Sequence, residues 1–324
     1  AALFLSMANG HRIRIVMSHF VGRTLGYREM AVSRPGSVAF QLRAFYQAHS
    51  WVPRRMDFQR AALGMAGPLE EDLERLNAFS PDVVRGTGSY IGALFRRAWE
   101  RDLPVHRPRL VLYGADRMTE ADRLLLETRL GVPVLSSYQS IEALHIAYQC
   151  ERRQGFHLNL DQVAVRVVDD AGREVGPGES GHIIISNLTN RATVLLNYRL
   201  GARVTLGDGA CGCGRSLPVI TRIDGRANDL LLLPEGRVMH GSVLMARLQE
   251  IPDVVQLQIV QEEVCRLSVR AVCAWGTRWE TTRPRLEAAA RSCIGDSVLV
   301  HFEPVEAIAP EPSGKVRGVI SKLR

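Results

Sequence analysis

Apolar runs of strand length alternate with amphipathic stretches from about residue 80 onward. Three such runs are found at 83–86, 110–113 and 132–135. Helical spacing of apolar residues lies between them, at 90–101 and again from Thr119, where Gly131 is placed to end the second helix. This alternation predicts an α/β fold, a parallel sheet with helices on its faces. Ligands of such sheets bind at the carboxyl ends of strands, where 114–116 and 136–142 fall.

The pattern changes after residue 161. Alternating residues at 163–168, a turn at 169–172 and a second alternating run at 182–186 indicate an antiparallel β segment with tight turns. Beyond residue 229 the order becomes strand, helix, strand, strand, helix and strand, which is typical of a small ferredoxin-like α+β domain. Its later elements are expected at 241–250, 255–261, 264–272, 285–293 and 297–303. We therefore expect a large domain over 1–226 and a small C-terminal domain over 227–324.

Composition and charge exclude some classes of partner. The chain has 324 residues, 46% of them hydrophobic, and a formal net charge of +7 that comes from dispersed arginines. A dispersed positive charge suits phosphate-bearing ligands. The chain has no basic run with interleaved aromatic residues, which is the pattern that would indicate nucleic acid binding. No apolar run reaches the roughly 18 residues of a membrane helix, so we expect no membrane partner and a cytoplasmic location. The six cysteines are then expected to be reduced.

Four residues have the spacing of a metal site. Cys150 and His157 are followed about fifty residues later by Cys211 and Cys213, with a glycine between the last two. Three thiolates and one imidazole can form a closed tetrahedral zinc site, which would be structural. Such a site leaves no position for water, which argues against a zinc-dependent hydrolase. The spacing alone leaves open a second interpretation, buried cysteines and a surface histidine in glycine turns.

Three further places carry candidate chemistry. Tyr138 and Glu142 follow a predicted strand, where an aromatic ring can lie on a purine and a carboxylate can hold Mg²⁺. Lys315 lies in a polar, glycine-containing tail segment, from which an ammonium group can reach a phosphoryl or carboxylate oxygen. Arg226 and Asp229 can hold a ribose or form a hinge. A non-functional interpretation of each place also remains open: a solvated strand end, a surface lysine and an ordinary turn with a salt bridge.

Six short motifs occur in a fixed order along the chain. They are Tyr-x-Ser-x-Glu at 138–142, Cys-x6-His-x3-Asp at 150–161, Tyr-Arg-x-Gly at 198–201, Cys-x-Cys-Gly-Arg at 211–215, Gly-Arg-x-x-Asp at 225–229 and Ser-Gly-Lys-x-Arg at 313–317. Together they resemble the phenylacetate–coenzyme A ligase-like branch of the adenylate-forming (acyl-CoA synthetase) superfamily. The resemblance runs from about residue 75 to the end of the chain.

This resemblance implies a two-step ligase reaction. A small carboxylic acid attacks the α-phosphate of ATP, which gives an acyl-adenylate and pyrophosphate. The mobile small domain then swings, and the thiol of coenzyme A attacks the acyl carbon. The acid, the final acceptor and the oligomeric state, a homodimer included, are left open by the sequence.

The resemblance also implies roles for individual residues. Glu142 ligates Mg²⁺, Asp229 forms the hinge, and Lys315 bridges phosphate and carboxylate in the first step only. Tyr138 stacks on the adenine, Gly114 and Ala115 line its pocket, and Arg226 contacts the ribose. The full nucleotide-binding set is Gly114, Ala115, Tyr138, Ser140 and Arg226. The zinc ligands are Cys150, His157, Cys211 and Cys213.

The chain departs from the family pattern at four places. The phosphate-cradling loop rich in Ser, Thr and Gly, expected ahead of these motifs, is absent from the chain. Ala202 replaces an aspartate that binds the ribose hydroxyls, Ile141 replaces a Thr or Ser at the α-phosphate, and Gln139 replaces a glycine beside the acid pocket. Either the chain is a fragment, which its alanine start favours, or it is a natural short form. The alternative function is a degenerate, non-catalytic, zinc-stapled scaffold of the same fold.

Overall fold

The computed structural model describes residues 11–33, 41, 45, 48–49, 59–65, 68–114, 116–189, 193–209, 211–226, 230–309 and 316–323. The chain forms two compact units. The larger unit is drawn mainly from residues up to 223, and the smaller unit mainly from residue 224 onward.

The larger unit consists of a long sheet with helices. Its elements in chain order are α1 (His11–Val21), β1 (Arg28–Val32), β2 (Gln59–Leu63), α2 (Leu69–Phe79), β3 (Val83–Thr87), α3 (Gly88–Glu100), β4 (Leu110–Gly114), α4 (Glu120–Leu124), β5 (Val134–Ser140), β6 (Leu144–Gln149), β7 (Phe156–Leu158), β8 (Val163–Val168), β9 (Ser180–Asn187), β10 (Tyr198–Leu206) and β11 (Val219–Arg226). One π-helical turn, Leu125–Arg129, continues α4.

Eleven strands form this sheet in the order β2-β1-β3-β4-β5-β6-β7-β11-β10-β9-β8. The pairs from β2 to β5 are parallel. The pairs β5–β6, β6–β7, β7–β11 and β8–β9 are antiparallel. The predicted α/β fold, a parallel sheet extended by an antiparallel segment, is therefore confirmed.

Alternating side chains of the parallel strands bury both faces of the sheet. Val83 packs on one face with residues of α1, such as Val16. Val84, the next residue of β3, packs on the other face with residues of α2 and α3, such as Leu76 and Ile91. Because neighbouring residues of a strand point to opposite faces, a nearly continuous apolar run is the pattern that a doubly covered strand requires.

The described residues of the smaller unit form two sheets, and two α-helices accompany them. Its elements are β12 (Leu230–Leu232), β13 (Val238–His240), α5 (Gly241–Gln249), β14 (Val254–Glu263), β15 (Arg266–Cys273), α6 (Trp279–Ile294), β16 (Leu299–Pro304) and β17 (Val319–Ser321). Four strands form one sheet in the order β16-β15-β14-β17, while β12 and β13 form an antiparallel pair. Leu286, Ala290 and Ile294 place one buried stripe of α6 in the core.

The small unit differs in one strand from the ferredoxin-like order expected from the sequence. The sequence predicts one strand before α5, whereas the structure has two, β12 and β13, which pair with each other. In the described residues neither joins the four-stranded sheet, where β15 pairs directly with both β14 and β16 and so leaves no place for a further strand beside it. In the described parts of the chain, no helix is long and apolar enough to cross a bilayer.

Candidate functional site

The structure brings the four predicted metal ligands together from three segments. Cys150 follows β6, His157 lies on β7, and Cys211 and Cys213 lie between β10 and β11. Their ligand atoms all lie within 4.8 Å of one another. The pairing of β6 with β7 and of β7 with β11 produces this convergence, because it aligns segments that are about fifty residues apart in sequence.

The distances within this cluster fit a tetrahedral metal ion. The sulfurs of Cys150 and Cys211 are 3.7 Å apart, and the Cys213 sulfur is 3.4 Å from Nε2 of His157. Bond lengths to zinc imply roughly 3.8 Å between two sulfurs and roughly 3.6 Å between sulfur and nitrogen in a tetrahedron. A disulfide would need sulfurs about 2.05 Å apart. The donor set and its spacing therefore suit a nitrogen- and sulfur-ligated ion.

The surroundings of the cluster favour the protonation states that a metal needs at His157 and Cys213, whereas burial favours the protonated thiol of Cys150. Burial lowers the pKa of His157, and the positive charge of Arg215 lowers it further, so the imidazole stays neutral. Burial raises the pKa of Cys213, but backbone and side-chain hydrogen bonds from Arg215 outweigh it and leave the pKa lowered. Burial is the main cause that raises the pKa of Cys150 to about 11. Arg215 is fixed by two bonds to Glu151, of 2.6 and 2.7 Å.

Tyr138 lies near the carboxyl end of β5, in the half of that strand that pairs with β6. Its hydroxyl oxygen is buried and has no hydrogen-bond partner among the described residues. Burial raises the pKa of this phenol, and the negative charge of Glu142 adds to the effect. A buried, unpartnered hydroxyl is costly, which is a reason to expect a ligand or water beside it.

The turn between β5 and β6 presents Glu142. The Ser140 hydroxyl accepts a hydrogen bond of 3.1 Å from the Ala143 backbone N–H, and the Asn187 amide donates one of 2.9 Å to the Glu142 carbonyl. These bonds fix the backbone on both sides of the Glu142 side chain. That carboxylate forms no ion pair within the part of the chain that the structure describes. Ile141 at the tip is 85% exposed.

Gln139 lies across the end of β4. Its Nε2 donates a 2.5 Å hydrogen bond to the Ser137 hydroxyl. A Cβ atom at Gly114 would lie 2.9 Å from that hydroxyl and 3.1 Å from Nε2 of Gln139. Only glycine therefore fits at this position without a shift of its neighbours. The structure thus places Gly114 beside the motif that contains Tyr138, at the carboxyl edge of the parallel strands.

The structure does not describe the side chains of the remaining predicted site residues. Ala115, Asp229 and Lys315 lie outside the described residues. Arg226 is the last residue of β11, and its side chain is not described. Their roles stay predictions. Ala202, where the family pattern has an aspartate, is half-buried on β10.

Sequence reasoning missed a cluster of buried charges on the face of the sheet that α1 covers. Glu29 on β1 is 4% exposed. Its carboxylate lies 3.4 Å from Nη1 of Arg85 and 3.9 Å from Nε of Arg60. Burial raises the pKa of Tyr27 to about 12, and the Glu29 charge raises it too. The missed signal was a charged residue within an apolar strand run, in Arg28–Val32 and again in Val83–Thr87.

His145 on β6 belongs to the same electrostatic environment. Burial lowers its pKa to about 4, and the positive charges of Arg85 and Arg14 contribute to the shift. Its neighbour in the β5–β6 pairing is Gln139. The polar groups of the motif and the buried charges therefore adjoin one another on this sheet.

The chain is similar to proteins of known activity. The family model described as the CapK C-terminal domain matches residues 231–322. A phenylacetate–coenzyme A ligase of Thermus thermophilus is 32% identical over 269 residues, which are 79% of this chain and 59% of the relative. A phenylacetate–coenzyme A ligase of Pseudomonas putida is 27% identical over 173 residues, 52% of this chain and 39% of the relative. The chain thus spans less than two thirds of either relative.

Solved structures show the same fold. A 2-hydroxyisobutyryl-CoA ligase in complex with R3-HIB-AMP superposes with a TM-score of 0.79 at 19% identity, covering 98% of this chain and 69% of that one. An amide bond synthetase from Marinactinospora thermotolerans gives a TM-score of 0.67 at 17% identity, covering 95% of this chain and 64% of that one. The chain is similar in sequence to phenylacetate–coenzyme A ligases, as its motifs predict, and has the fold of adenylate-forming enzymes.

Proposed function

We propose that this protein activates a small carboxylic acid with ATP as an acyl-adenylate and transfers the acyl group to coenzyme A. The observation that carries the proposal is the placement of Gly114 and the hairpin of Tyr138 and Glu142 at the carboxyl edge of the parallel strands. This is the edge where ligands bind in open α/β sheets. The relatives named as acid–CoA ligases support the same chemistry.

The proposed roles follow the motifs. Lys315 and Glu142 are the catalytic residues, and Asp229 is the hinge between a large domain over 1–226 and a mobile small domain over 227–324. The proposed nucleotide contacts are Gly114, Ala115, Tyr138, Ser140 and Arg226. Glu142 suits Mg²⁺ because its carboxylate stands at a fixed turn, with no ion pair in the described parts of the chain. Mg²⁺ bound there would neutralise phosphate charge.

The two steps balance without any further reactant. In the first step, a carboxylate oxygen of the acid bonds to the α-phosphorus of ATP, and the bond to pyrophosphate breaks. The Lys315 ammonium stabilises the negative charge that builds between the two groups. In the second step, the coenzyme A sulfur bonds to the acyl carbon and AMP leaves, while the thiol proton goes to solvent.

We also propose that Cys150, His157, Cys211 and Cys213 hold a structural Zn²⁺. Support comes from the distances between their ligand atoms and from a donor set that zinc prefers. Four protein ligands leave no open coordination position, so the ion would join the end of β6 to the segment between β10 and β11. Free thiols of this kind suit a reducing compartment, and we propose the cytoplasm.

The test of the ligase proposal is ATP–pyrophosphate exchange that depends on an added acid, measured on the protein encoded by the full reading frame. Lys315→Ala should lower this exchange about 10²–10³-fold, because it removes the cation that faces developing charge. Lys322→Ala is the matched control, since Lys322 is an exposed lysine of the same unit that pairs with Glu262 at 2.6 Å. No exchange from a folded protein over a broad panel of acids would refute the proposal.

The scaffold alternative is not favoured, because the curated relatives and the solved neighbours are ligases and synthetases. Its remaining support is Ala202 and Ile141. Ala202 removes an acceptor expected for the ribose hydroxyls. The loss of such a hydrogen bond costs about 1–3 kcal/mol, which weakens nucleotide binding without abolishing it.

A further inference from the structure

One peptide group in the turn between β5 and β6 is held at both of its ends by side chains. Its N–H belongs to Ala143 and donates to the Ser140 hydroxyl at 3.1 Å. Its carbonyl belongs to Glu142 and accepts from Nδ2 of Asn187 at 2.9 Å, across 45 positions of the sequence. Because a peptide group is planar, bonds at its two ends oppose its rotation, and the backbone that carries the Glu142 side chain is held with it.

The amide of Asn187 is a fixed point of attachment. Asn187 is the last residue of β9, where it pairs with Val163, and its backbone N–H donates to the Leu195 carbonyl at 2.9 Å. Its Oδ1 accepts a hydrogen bond of 3.1 Å from the backbone N–H of Thr189. This bond decides which end of the amide faces the turn, since a flipped amide would place its oxygen against the Glu142 carbonyl.

The turn itself has a conformation that needs support from outside. Leu144, at its far end, has φ 56°, a left-handed conformation that is unfavourable for a residue with a Cβ atom. Ile141 at the tip is 85% exposed, so its side chain adds little packing. Strained backbone of this kind persists only where neighbouring groups hold it. The bond from Asn187 is a restraint that comes from a different pair of strands.

We infer that Asn187 is a positioning residue for Glu142. The inference rests on the proposed function, in which the Glu142 carboxylate ligates Mg²⁺. Without the amide bond, the Ser140 bond still closes the turn, but the peptide group can rotate and the carboxylate spends less time where it can ligate. More Mg²⁺ is then needed for adenylate formation. A merely structural role would instead lower the amount of folded enzyme, and with it the rate, equally at every Mg²⁺ concentration.

Two variants remove the bond to the turn in different ways. Asn187→Leu has a side chain of similar size and lacks both polar atoms. Asn187→Ser keeps an oxygen that can accept from Thr189, but its shorter side chain does not reach the Glu142 carbonyl. In both, the Mg²⁺ concentration that gives half-maximal acid-dependent pyrophosphate exchange should rise about 10- to 100-fold. Exchange at saturating Mg²⁺ should stay close to that of the wild type.

Asn77→Leu is the matched control. Nδ2 of Asn77 on α2 donates to the Pro104 carbonyl at 2.7 Å, and its Oδ1 accepts from the backbone N–H of His106 at 2.6 Å. This asparagine therefore also joins two segments of the larger unit, but it does not bond to the turn of Glu142. Its loss should leave the Mg²⁺ requirement unchanged. A requirement that stays the same in both Asn187 variants, or that rises equally in Asn77→Leu, would overturn the inference.

Hydrogen exchange gives a readout that does not need activity. In the intact protein, the Ala143 amide should exchange faster in both Asn187 variants than in the wild type, and at the wild-type rate in Asn77→Leu. If the wild type shows no pyrophosphate exchange with any acid, the ligase proposal fails, and hydrogen exchange alone decides whether Asn187 holds the turn. An Ala143 amide that keeps the wild-type rate in both Asn187 variants overturns the positioning role.

Discussion

Replacing Cys213 with serine should remove the metal and destabilise the larger unit. The thiolate lies 3.4 Å from Nε2 of His157, in a cluster where two of four ligands are fully buried. A serine hydroxyl cannot replace a thiolate as a zinc ligand. An ion held at about 1,000 times its dissociation constant contributes about 4 kcal/mol to folding. In a domain of this size, that loss corresponds to a fall of about 8–16 °C in melting temperature.

The assay combines metal analysis with thermal unfolding. Wild-type protein purified without added zinc should contain about one zinc ion per chain, as expected of a single four-ligand site. The Cys213→Ser variant should contain almost none and should melt at the lower temperature. Cys265→Ser is the matched control, because Cys265 is an exposed free cysteine outside the cluster. It should keep both the metal and the melting temperature.

A strong chelator should reproduce the effect of the substitution on wild-type protein and have no further effect on Cys213→Ser. The reasoning is refuted if wild-type protein is metal-free and melts at the same temperature with and without the chelator. It is equally refuted if Cys265→Ser loses as much stability as Cys213→Ser, since the loss would then belong to thiol removal in general.

Two further predictions concern the sheet. Because the pKa of His145 is about 4 in the folded protein and about 6.5 when unfolded, the unfolded chain takes up the proton first as the pH falls. The free energy of unfolding, measured in urea, should therefore be up to about 2 kcal/mol lower at pH 5 than at pH 7. His145→Gln should reduce this pH dependence. An unaltered pH dependence in the variant would contradict its assignment to His145. Gly86 has φ 146°, and an added Cβ would lie 1.9 Å from the Val32 carbonyl oxygen. Gly86→Ala should cost about 3 kcal/mol or more in the same assay, against about 1 kcal/mol for Gly131→Ala, which has room for a Cβ; equal costs would contradict the clash.

The parallel half of the sheet was predictable because its strands are apolar on both faces. The run at 110–113 became β4, Leu110–Gly114, and the run at 83–86 became β3, Val83–Thr87. Local pattern was sufficient there, since helices cover both faces and most residues of these two strands are buried. The clustering of Cys150, His157, Cys211 and Cys213 was also predictable, because their spacing and the family resemblance together indicate a shared site.

Other features depend on tertiary contacts that no local pattern encodes. The first turns of α6 were missed because Pro284 indicates a helix start, whereas the helix begins at Trp279 and includes the proline. β17 has only three residues and forms a strand because β14 offers a parallel edge. The sequence places Gln139 beside the acid pocket, and only the structure shows its hydrogen bond to Ser137.

The seven residues of β5 pair in parallel with one neighbouring strand and antiparallel with the other. It is parallel to β4 as far as Ser136 and antiparallel to β6 from Ser137 onward. An inserted or deleted residue in this strand would turn all later side chains to the opposite face, Tyr138 among them, and would misalign one neighbour or the other. Over evolutionary time this strand can therefore diversify by substitution, while changes of length must be accommodated at the turn that carries Glu142.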